Sequence, residues 1–217
     1  MAVPAVLLAA LVVAGCHPSA ATGSGAPSGH AAPPATVSAA APVAGGRIPV
    51  GEGPQKKYTV RQQPAAGSCH YRYEHGEPLE DRTCNPGAVS PAVTQANLAT
   101  TICRKGSYTG GIRPPASVTG KEKALNAKSY GYTGPMDQAE YDHLISLQLG
   151  GDPNDPRNLW VEPADPGHKA GAGVNNAKDP VETKLHTAVC SGKITLAQAQ
   201  KAIVTDWTTA LATLGIG

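Results

Sequence analysis

The composition of residues 17–50 sets the strongest limit on what this chain can fold into, because this segment offers almost nothing to bury. Residues 17–50 consist mainly of Ala, Pro, Ser, Gly and Thr and contain almost no large apolar side chains. A segment of this composition cannot bury enough apolar surface to offset the entropy that it loses on ordering. We therefore predict a disordered tether over 17–50 and a folded domain over 51–217.

An uncharged apolar run precedes the tether. Residues 2–15 read AVPAVLLAALVVAG, a length typical of the hydrophobic region of a signal peptide and too short for a comfortable membrane span. No Lys or Arg precedes the run, which departs from the usual signal pattern. The stretch from Leu11 to Cys16 resembles a bacterial lipobox, which implies lipidation of the Cys16 thiol. We predict a signal peptide over 1–16 and an exported, lipid-anchored protein, with ordinary secretion as the alternative.

The other four cysteines all lie in the folded region, at Cys69, Cys84, Cys103 and Cys190. None forms a CxxC pair, which argues against a zinc knuckle or a thioredoxin-like motif. An even number of scattered cysteines behind an export signal indicates disulfides formed in an oxidising compartment. Sequence alone leaves the pairing open. We favour Cys69–Cys84 as a local staple of a loop or hairpin and Cys103–Cys190 as a long-range tie.

Helical patterns flank the centre of the domain. Ser90-Pro91 predicts the start of a helix over 92–104, with Ser as the cap and Pro at the first helical position. Thr119-Gly120-Lys121-Glu122 fits a capping box that begins a second, short helix. Near the C-terminus, Thr195-Leu196-Ala197-Gln198 is another capping box, and it opens an apolar stripe about five turns long. We expect this stripe to pack in the core.

Between these helices the chain predicts a strand, a turn and a second strand. Residues 141–149 (YDHLISLQL) are rich in Leu and Ile and alternate partly, so we predict a strand. Residues 150–156 are dense in Gly, Asp, Asn and Pro and form a turn, and 158–161 (NLWV) form a short second strand. A helix follows over about 180–188. This order of elements implies an α+β fold.

The pair Asp142-His143 is the strongest candidate for chemistry. A carboxylate can hold a hard cation such as Mg²⁺ through oxygen. An unprotonated imidazole can take a proton from water, so that hydroxide attacks phosphorus in a phosphodiester. Because neighbouring side chains of a strand point to opposite faces, both groups act together only at a strand end or a bulge.

The surrounding residues resemble the HNH, or ββα-metal, nuclease motif. DHLISLQLGG, residues 142–151, is followed six residues later by Asn158-Leu159, much like the DH pair, Gly-Gly turn and Asn-Leu of that motif. The resemblance covers 141–186 and implies a hairpin followed by a helix. With the predicted flanking helices and disulfides, we expect a mostly helical, disulfide-braced domain around this motif. It implies that His143 is the general base, that Asp142 binds metal and that the Asn158 amide cross-links the loop.

In the HNH family the helix supplies a further metal ligand, and the resemblance implies Asn176 as the first choice here. Asn176 lies in a stretch, NNAKD, that resembles the Asn-rich helix start of many HNH domains. Glu182 and His186 lie four residues apart on one helical face and could also reach a cation. The structural alternative is that residues 179–182 (DPVE) form a capping box. The implied cofactor is a divalent cation, Mg²⁺ by preference, with Mn²⁺ or Zn²⁺ as alternatives.

The wider chain, from Pro86 to Trp207, resembles a group of exported actinobacterial proteins of unassigned role. Two features depart from the HNH pattern: Ser146 stands where proline is common, and the zinc-binding cysteine pairs of many members are absent. The formal net charge is only +2, whereas a protein that coats a duplex usually carries a stronger positive bias.

We therefore expect a metal-dependent endonuclease that hydrolyses phosphodiester bonds outside the cytoplasm. Its substrate would be DNA or RNA read with low sequence specificity, and its contact with a membrane would pass through the lipid anchor only. The alternative is a non-catalytic cell-envelope lipoprotein or binding module on a degenerate HNH scaffold. The mild charge and the uncertain helix ligand motivate this alternative.

Overall fold

The computed structural model describes residues 46–169, 171 and 176–217. The predicted signal peptide, the predicted lipidation site Cys16 and most of the predicted tether lie outside these residues. At the end of the predicted tether, Ile48 packs against the main core and Val50 forms a bridge with Val89. Contacts with the folded domain therefore begin before residue 51. Among the described residues, no helix combines the length and the apolar character needed to cross a membrane.

The described part of the chain is a mixed α and β structure with two short, two-stranded antiparallel sheets. Its strands and α-helices, in chain order, are β1 (Arg72–Glu74), β2 (Glu77–Leu79), α1 (Thr109–Ile112), α2 (Ala116–Ser129), β3 (Glu140–His143), β4 (Leu159–Glu162), α3 (Lys178–Cys190), α4 (Leu196–Asp206) and α5 (Ala210–Thr213). Two 3₁₀ helices, Gln95–Thr100 and Leu147–Leu149, complete the set.

Strands β1 and β2 form the predicted stapled hairpin. The turn between them uses two residues with positive φ, His75 at 55° and Gly76 at 86°, which is the backbone conformation that favours tight two-residue turns. The Cys69–Cys84 disulfide closes the base of this hairpin. The local staple predicted from the sequence is therefore confirmed.

Strands β3 and β4 form a second hairpin, in which Glu140 lies opposite Glu162 and Asp142 lies opposite Trp160. The prediction of one strand over 141–149 is wrong, because β3 ends at His143 and a 3₁₀ helix covers Leu147–Leu149. Leu144, Ile145, Leu147 and Leu149 are all buried. An extended ribbon would point alternate residues of this run to opposite faces, so the chain turns to bury all four.

The predicted helix over 92–104 is also wrong, since the described chain there contains only the 3₁₀ helix Gln95–Thr100. Asn97 has non-helical backbone angles, with φ of −116° and ψ of 18°. Its side chain accepts from the Thr94 amide (2.8 Å) and donates to the Ala92 carbonyl (3.1 Å). Such local side-chain bonds to the backbone compete with regular helix formation.

Helix α2 begins at Ala116, three residues before the predicted capping box at Thr119. Glu122, expected to close that box, is instead buried and accepts a hydrogen bond from the Arg61 amide at 2.7 Å. Helix α3 extends beyond the predicted 180–188 at both ends. Pro180 lies in its first turn, where a missing N–H breaks no helical hydrogen bond.

At the C-terminus the capping box of Thr195 and Gln198 is confirmed at the start of α4. The predicted five-turn helix is interrupted, however, because α4 ends at Asp206 and α5 begins at Ala210. The Asp206 carboxylate accepts from the backbone amide and the hydroxyl of Thr208, at 2.9 and 2.6 Å, and so stabilises a turn instead of continued helix.

The main core is formed by α3, α4, α5 and the 3₁₀ helix Leu147–Leu149, around Leu149, Leu185, Ile203 and Trp207. The Cys103–Cys190 disulfide joins the segment after the first 3₁₀ helix to the end of α3, across a sequence separation of 87. Both disulfides therefore match the favoured pairings. Their presence indicates an oxidising, extracytoplasmic environment.

Candidate functional site

Three carboxylates share one face of the β3–β4 hairpin. Glu140 and Asp142 are alternate residues of β3, so they point to the same side, and Glu162 lies directly opposite Glu140 on β4. One carboxylate oxygen from each residue lies within 4.8 Å of the others. We call Glu140, Asp142 and Glu162 the hairpin carboxylates.

Helix α3 adds a buried lysine and a fourth carboxylate, one turn apart. The Lys178 ammonium donates to Asp142 Oδ2 at 2.7 Å and to Glu182 Oε1 at 2.5 Å. It also donates to the His143 carbonyl oxygen at 3.0 Å. Lys178 is 1% exposed. A single buried ammonium therefore ties the first turn of α3 to the end of β3.

The hairpin carboxylates differ in their hydrogen-bond partners. Asp142 Oδ2 also accepts from the Trp160 indole N–H at 3.2 Å, and Glu140 Oε2 lies 3.4 Å from Asn176 Nδ2. Glu162 is 0% exposed, and neither of its carboxylate oxygens has a hydrogen-bond partner among the described residues. A buried carboxylate without a partner carries a large desolvation cost, so this group requires an explanation.

Burial is also the largest cause of the pKa shifts of the carboxyl groups on this face. It raises the pKa of Glu140 to about 8, with the nearby Asp142 charge adding to the shift. It raises the pKa of Glu182 to about 7 and that of Glu162 well above its ordinary value. Burial alone would lower the pKa of Lys178, but the charges of Asp142 and Glu182 outweigh it and raise that pKa. Near neutral pH these glutamates therefore retain protons that they would lose in water.

The His143 imidazole contacts the loop between β3 and β4. Its Nε2 lies 3.1 Å from the Pro153 carbonyl oxygen. A carbonyl only accepts, so Nε2 carries the hydrogen and Nδ1 keeps its lone pair in the neutral ring. Burial lowers the pKa of His143 to about 4, which keeps the ring neutral at pH 7.

The Asn158 side chain links the two ends of that loop, as the resemblance implies. Its Oδ1 accepts from the Ile145 amide at 3.0 Å and from the Ala88 amide at 3.3 Å. Its Nδ2 donates to the carbonyls of Ile145 and Asp152, both at 3.0 Å. A Cβ on Gly151 would lie 1.7 Å from the Ile145 carbonyl oxygen, so the second glycine of the Gly-Gly pair is required for this close approach.

The structure brings some of the predicted site residues together and separates others. Asp142 and Glu182 meet through Lys178, whereas the Asp142 and His143 side chains contact different neighbours, α3 and the loop. Asn176 Oδ1 accepts from the Lys178 backbone amide at 3.0 Å. This places Asn176 at the helix start, with its amide group facing Glu140. The roles of Asn176 and Glu182 as metal ligands stay predictions.

The alternative capping box over 179–182 is not formed, because α3 begins at Lys178 and Asp179 already lies in its first turn. The sequence interpretation also missed Glu140, Glu162 and Lys178. Two signals pointed to Glu140 and Lys178: Glu140 precedes Asp142 by two residues in a strand, and Lys178 precedes Glu182 by one helical turn.

A second group, Cys103, His186 and Cys190, also has metal-ligand chemistry. His186 Nε2 lies 3.3 Å from Cys190 Sγ and 2.9 Å from the Ile102 carbonyl oxygen. Zinc binds thiolates, however, and both sulfur atoms here are joined in a disulfide. This group can bind metal only after reduction.

Comparisons with protein-family models, with curated proteins and with solved structures each find no match for this chain. The resemblance to the HNH motif therefore stays a prediction from the sequence.

Proposed function

We propose that this protein is an exported, metal-dependent nuclease of the HNH type that hydrolyses phosphodiester bonds in DNA or RNA. The disulfides support export, and the hairpin followed by a helix is the arrangement that the motif implies. Lipid anchoring at Cys16 stays a prediction, since Cys16 lies outside the described residues.

One chain of hydrogen bonds carries the proposal. Asn158 fixes both ends of the loop after β3, and that loop presents the Pro153 carbonyl to His143 Nε2. The carbonyl selects the tautomer with a lone pair on Nδ1, and burial keeps the ring unprotonated. An imidazole prepared in this way is neutral near pH 7 and keeps the lone pair that a general base needs.

The roles of the side chains follow from these contacts. His143 Nδ1 would accept a proton from the attacking water, and Asp142, held by Lys178 and Trp160, would be the first ligand of the divalent cation. When bound, such a cation would polarise the phosphate and stabilise charge on the leaving oxygen. Asn158 would act only by positioning the loop. Nothing in the described residues suggests base-specific contacts, so sequence preference would be weak.

The test is cleavage of plasmid DNA and of RNA by the purified protein with Mg²⁺ or Mn²⁺. We expect His143→Ala and the closer replacement His143→Gln to lower the rate by about 100-fold or more, because a general base contributes about that much. His70→Ala is the matched control, since His70 is exposed and its side chain has no role in the site.

Circular dichroism and thermal unfolding of each variant separate loss of chemistry from loss of fold. An inactive wild type under all metal conditions would reject the nuclease proposal. So would cleavage by folded His143→Gln at the wild-type rate.

One observation favours the second candidate, a non-catalytic module on a degenerate scaffold. The Lys178 ammonium already pairs with Asp142 and Glu182, the two acidic residues predicted to bind metal. A protein that uses a lysine in place of a metal would neither cleave nucleic acid nor bind divalent cations. Calorimetry with Mg²⁺ and Ca²⁺ separates the two candidates.

A further inference from the structure

We propose that Glu140, Asp142 and Glu162 together bind one divalent cation of the Ca²⁺ type, with every protein ligand on the hairpin and none on α3. The inference depends on the proposed function only for the location of a metal at Asp142. It assigns ligand roles to Glu140 and Glu162 and makes Glu182 a partner of Lys178 instead.

The distances between the hairpin carboxylates suit one cation. Two oxygens that share a Ca²⁺ at about 2.3–2.6 Å lie at most about 5 Å apart. The three carboxylates already offer oxygens within 4.8 Å of one another. One cation can therefore bind all three after side-chain adjustment, without any change in the strand register that holds them.

Glu162 provides separate evidence that a ligand binds at this acidic cluster. Its side chain is fully buried, both oxygens lack a partner among the described residues, and one oxygen points into the group formed with Glu140 and Asp142. Protonation would remove the charge but would leave the hydroxyl and the carbonyl oxygen without partners. A bound cation satisfies both the charge and the lone pairs.

In the part of the chain that the structure describes, only one of the hairpin carboxylates, Asp142, takes part in an ion pair. Lys178 contacts Asp142 and Glu182, and Arg72 of the first hairpin pairs with Glu80. Glu140 and Glu162 have no ion-pair partner among the described residues. A divalent ion would balance these two charges.

The position of Lys178 also sets the expected strength of binding. Its ammonium lies 2.7 Å from Asp142 Oδ2, so it orients that carboxylate but repels a cation bound to the other oxygen. We therefore expect weak binding, with a Kd of about 10⁻⁴–10⁻³ M, the range of extracellular Ca²⁺ modules.

The experiment is titration of the purified, full-length protein with Ca²⁺ and Mg²⁺ by calorimetry, and with Tb³⁺ by tryptophan-sensitised luminescence. Trp160 contacts Asp142 and can transfer energy to a lanthanide there. We expect Glu162→Gln and Glu140→Gln to weaken binding by about tenfold or more, because each removes a charged ligand. Glu182→Gln is the matched control on α3 and should change the affinity less than about threefold.

Glu162→Gln replaces a buried acid by an amide of the same shape, and unfolding curves verify that each variant folds. Unchanged affinity in folded Glu162→Gln would overturn the inference, as would tenfold loss in Glu182→Gln. Cation binding with the expected pattern but no cleavage supports the inference and rejects the nuclease. Cleavage that requires a metal, with no effect of Glu162→Gln on cation binding, supports the nuclease and rejects this ligand set.

Discussion

Single buried side chains hold this site together by hydrogen-bonding to buried groups of other segments. Asn158 is fully buried and uses both ends of its amide, so that one side chain replaces the hydrogen bonds that the irregular loop cannot make with itself. Lys178 has a similar linking role through its charged ammonium group, which donates to two carboxylates and to a carbonyl oxygen. In both cases a single polar group holds segments that are distant in sequence.

At this scale we predict that Asn158→Ala lowers the free energy of unfolding by about 3 kcal/mol or more. The substitution leaves several buried backbone groups without a partner, and each such group costs about 1–3 kcal/mol. The measurement is urea unfolding. Asn97→Ala is the control, because Asn97 is partly exposed and its loss resembles that of a helix cap, about 1 kcal/mol. Equal losses in the two variants would contradict the role assigned to Asn158.

At the scale of elements, short strands and helices depend on links between them. The two sheets have strands of three and four residues, which is too little to be stable alone. The first hairpin is closed by Cys69–Cys84, and the second is braced by α3, whose far end is tied by Cys103–Cys190. The disulfides thus stabilise elements that local propensity leaves marginal.

We predict that removing the long-range disulfide costs more stability than removing the local one. The sequence separations are 87 and 15, and chain entropy gives about 4.5 and 3 kcal/mol for loops of such lengths. The comparison is thermal unfolding of the double variants Cys103→Ser/Cys190→Ser and Cys69→Ser/Cys84→Ser. A larger loss from the local pair would mean that native contacts, and not loop entropy, control the effect.

The whole molecule buries several carboxyl groups at the hairpin of β3 and β4, and it buries an imidazole against the loop that joins these two strands. Glu140, Glu162 and Glu182 have raised pKa values, while the pKa of His143 is lowered to about 4. The titratable groups near Glu140 include Asp142 from β3, Glu162 from β4, Lys123 from α2, and Lys178, Asp179 and Glu182 from α3. The free energy of unfolding should therefore depend on pH, because the raised pKa values of the glutamates and the lowered pKa of His143 change it in opposite directions.

We predict that the metal-free protein loses stability as the pH rises from about 6.5 to 8. Over this range the folded state retains carboxyl protons that the unfolded chain has released, so the free energy of unfolding falls by about 1.4 kcal/mol per pH unit for each retained proton. His143 has the opposite effect, but only between its folded pKa of about 4 and its ordinary value of about 6.5.

The measurement is the urea midpoint at several pH values with a chelator present. Glu140→Gln should make the slope shallower, because it removes a group whose pKa is about 8 in the folded state. A stability that rises with pH over the same range would show that these carboxyls are ionised in the folded protein.

The sequence by itself determined the features that depend on neighbouring residues. The cap of Thr195, the Gly-Gly turn and the order of strand, loop, strand and helix all follow from local rules, because turn and cap chemistry acts over a few residues. Helix lengths were predicted less well, because Asn97 and Asp206 form side-chain bonds that interrupt the apolar periodicity.

Only the tertiary structure decided which charges meet. The strand register places Glu162 opposite Glu140, and the approach of α3 brings the Lys178 ammonium to Asp142. Neither contact has a local signature, since the residues involved are 22 and 36 positions apart. Cross-strand pairing and helix packing result from burial of the whole core, and burial also determines whether a carboxylate is paired with a cation or left without a partner.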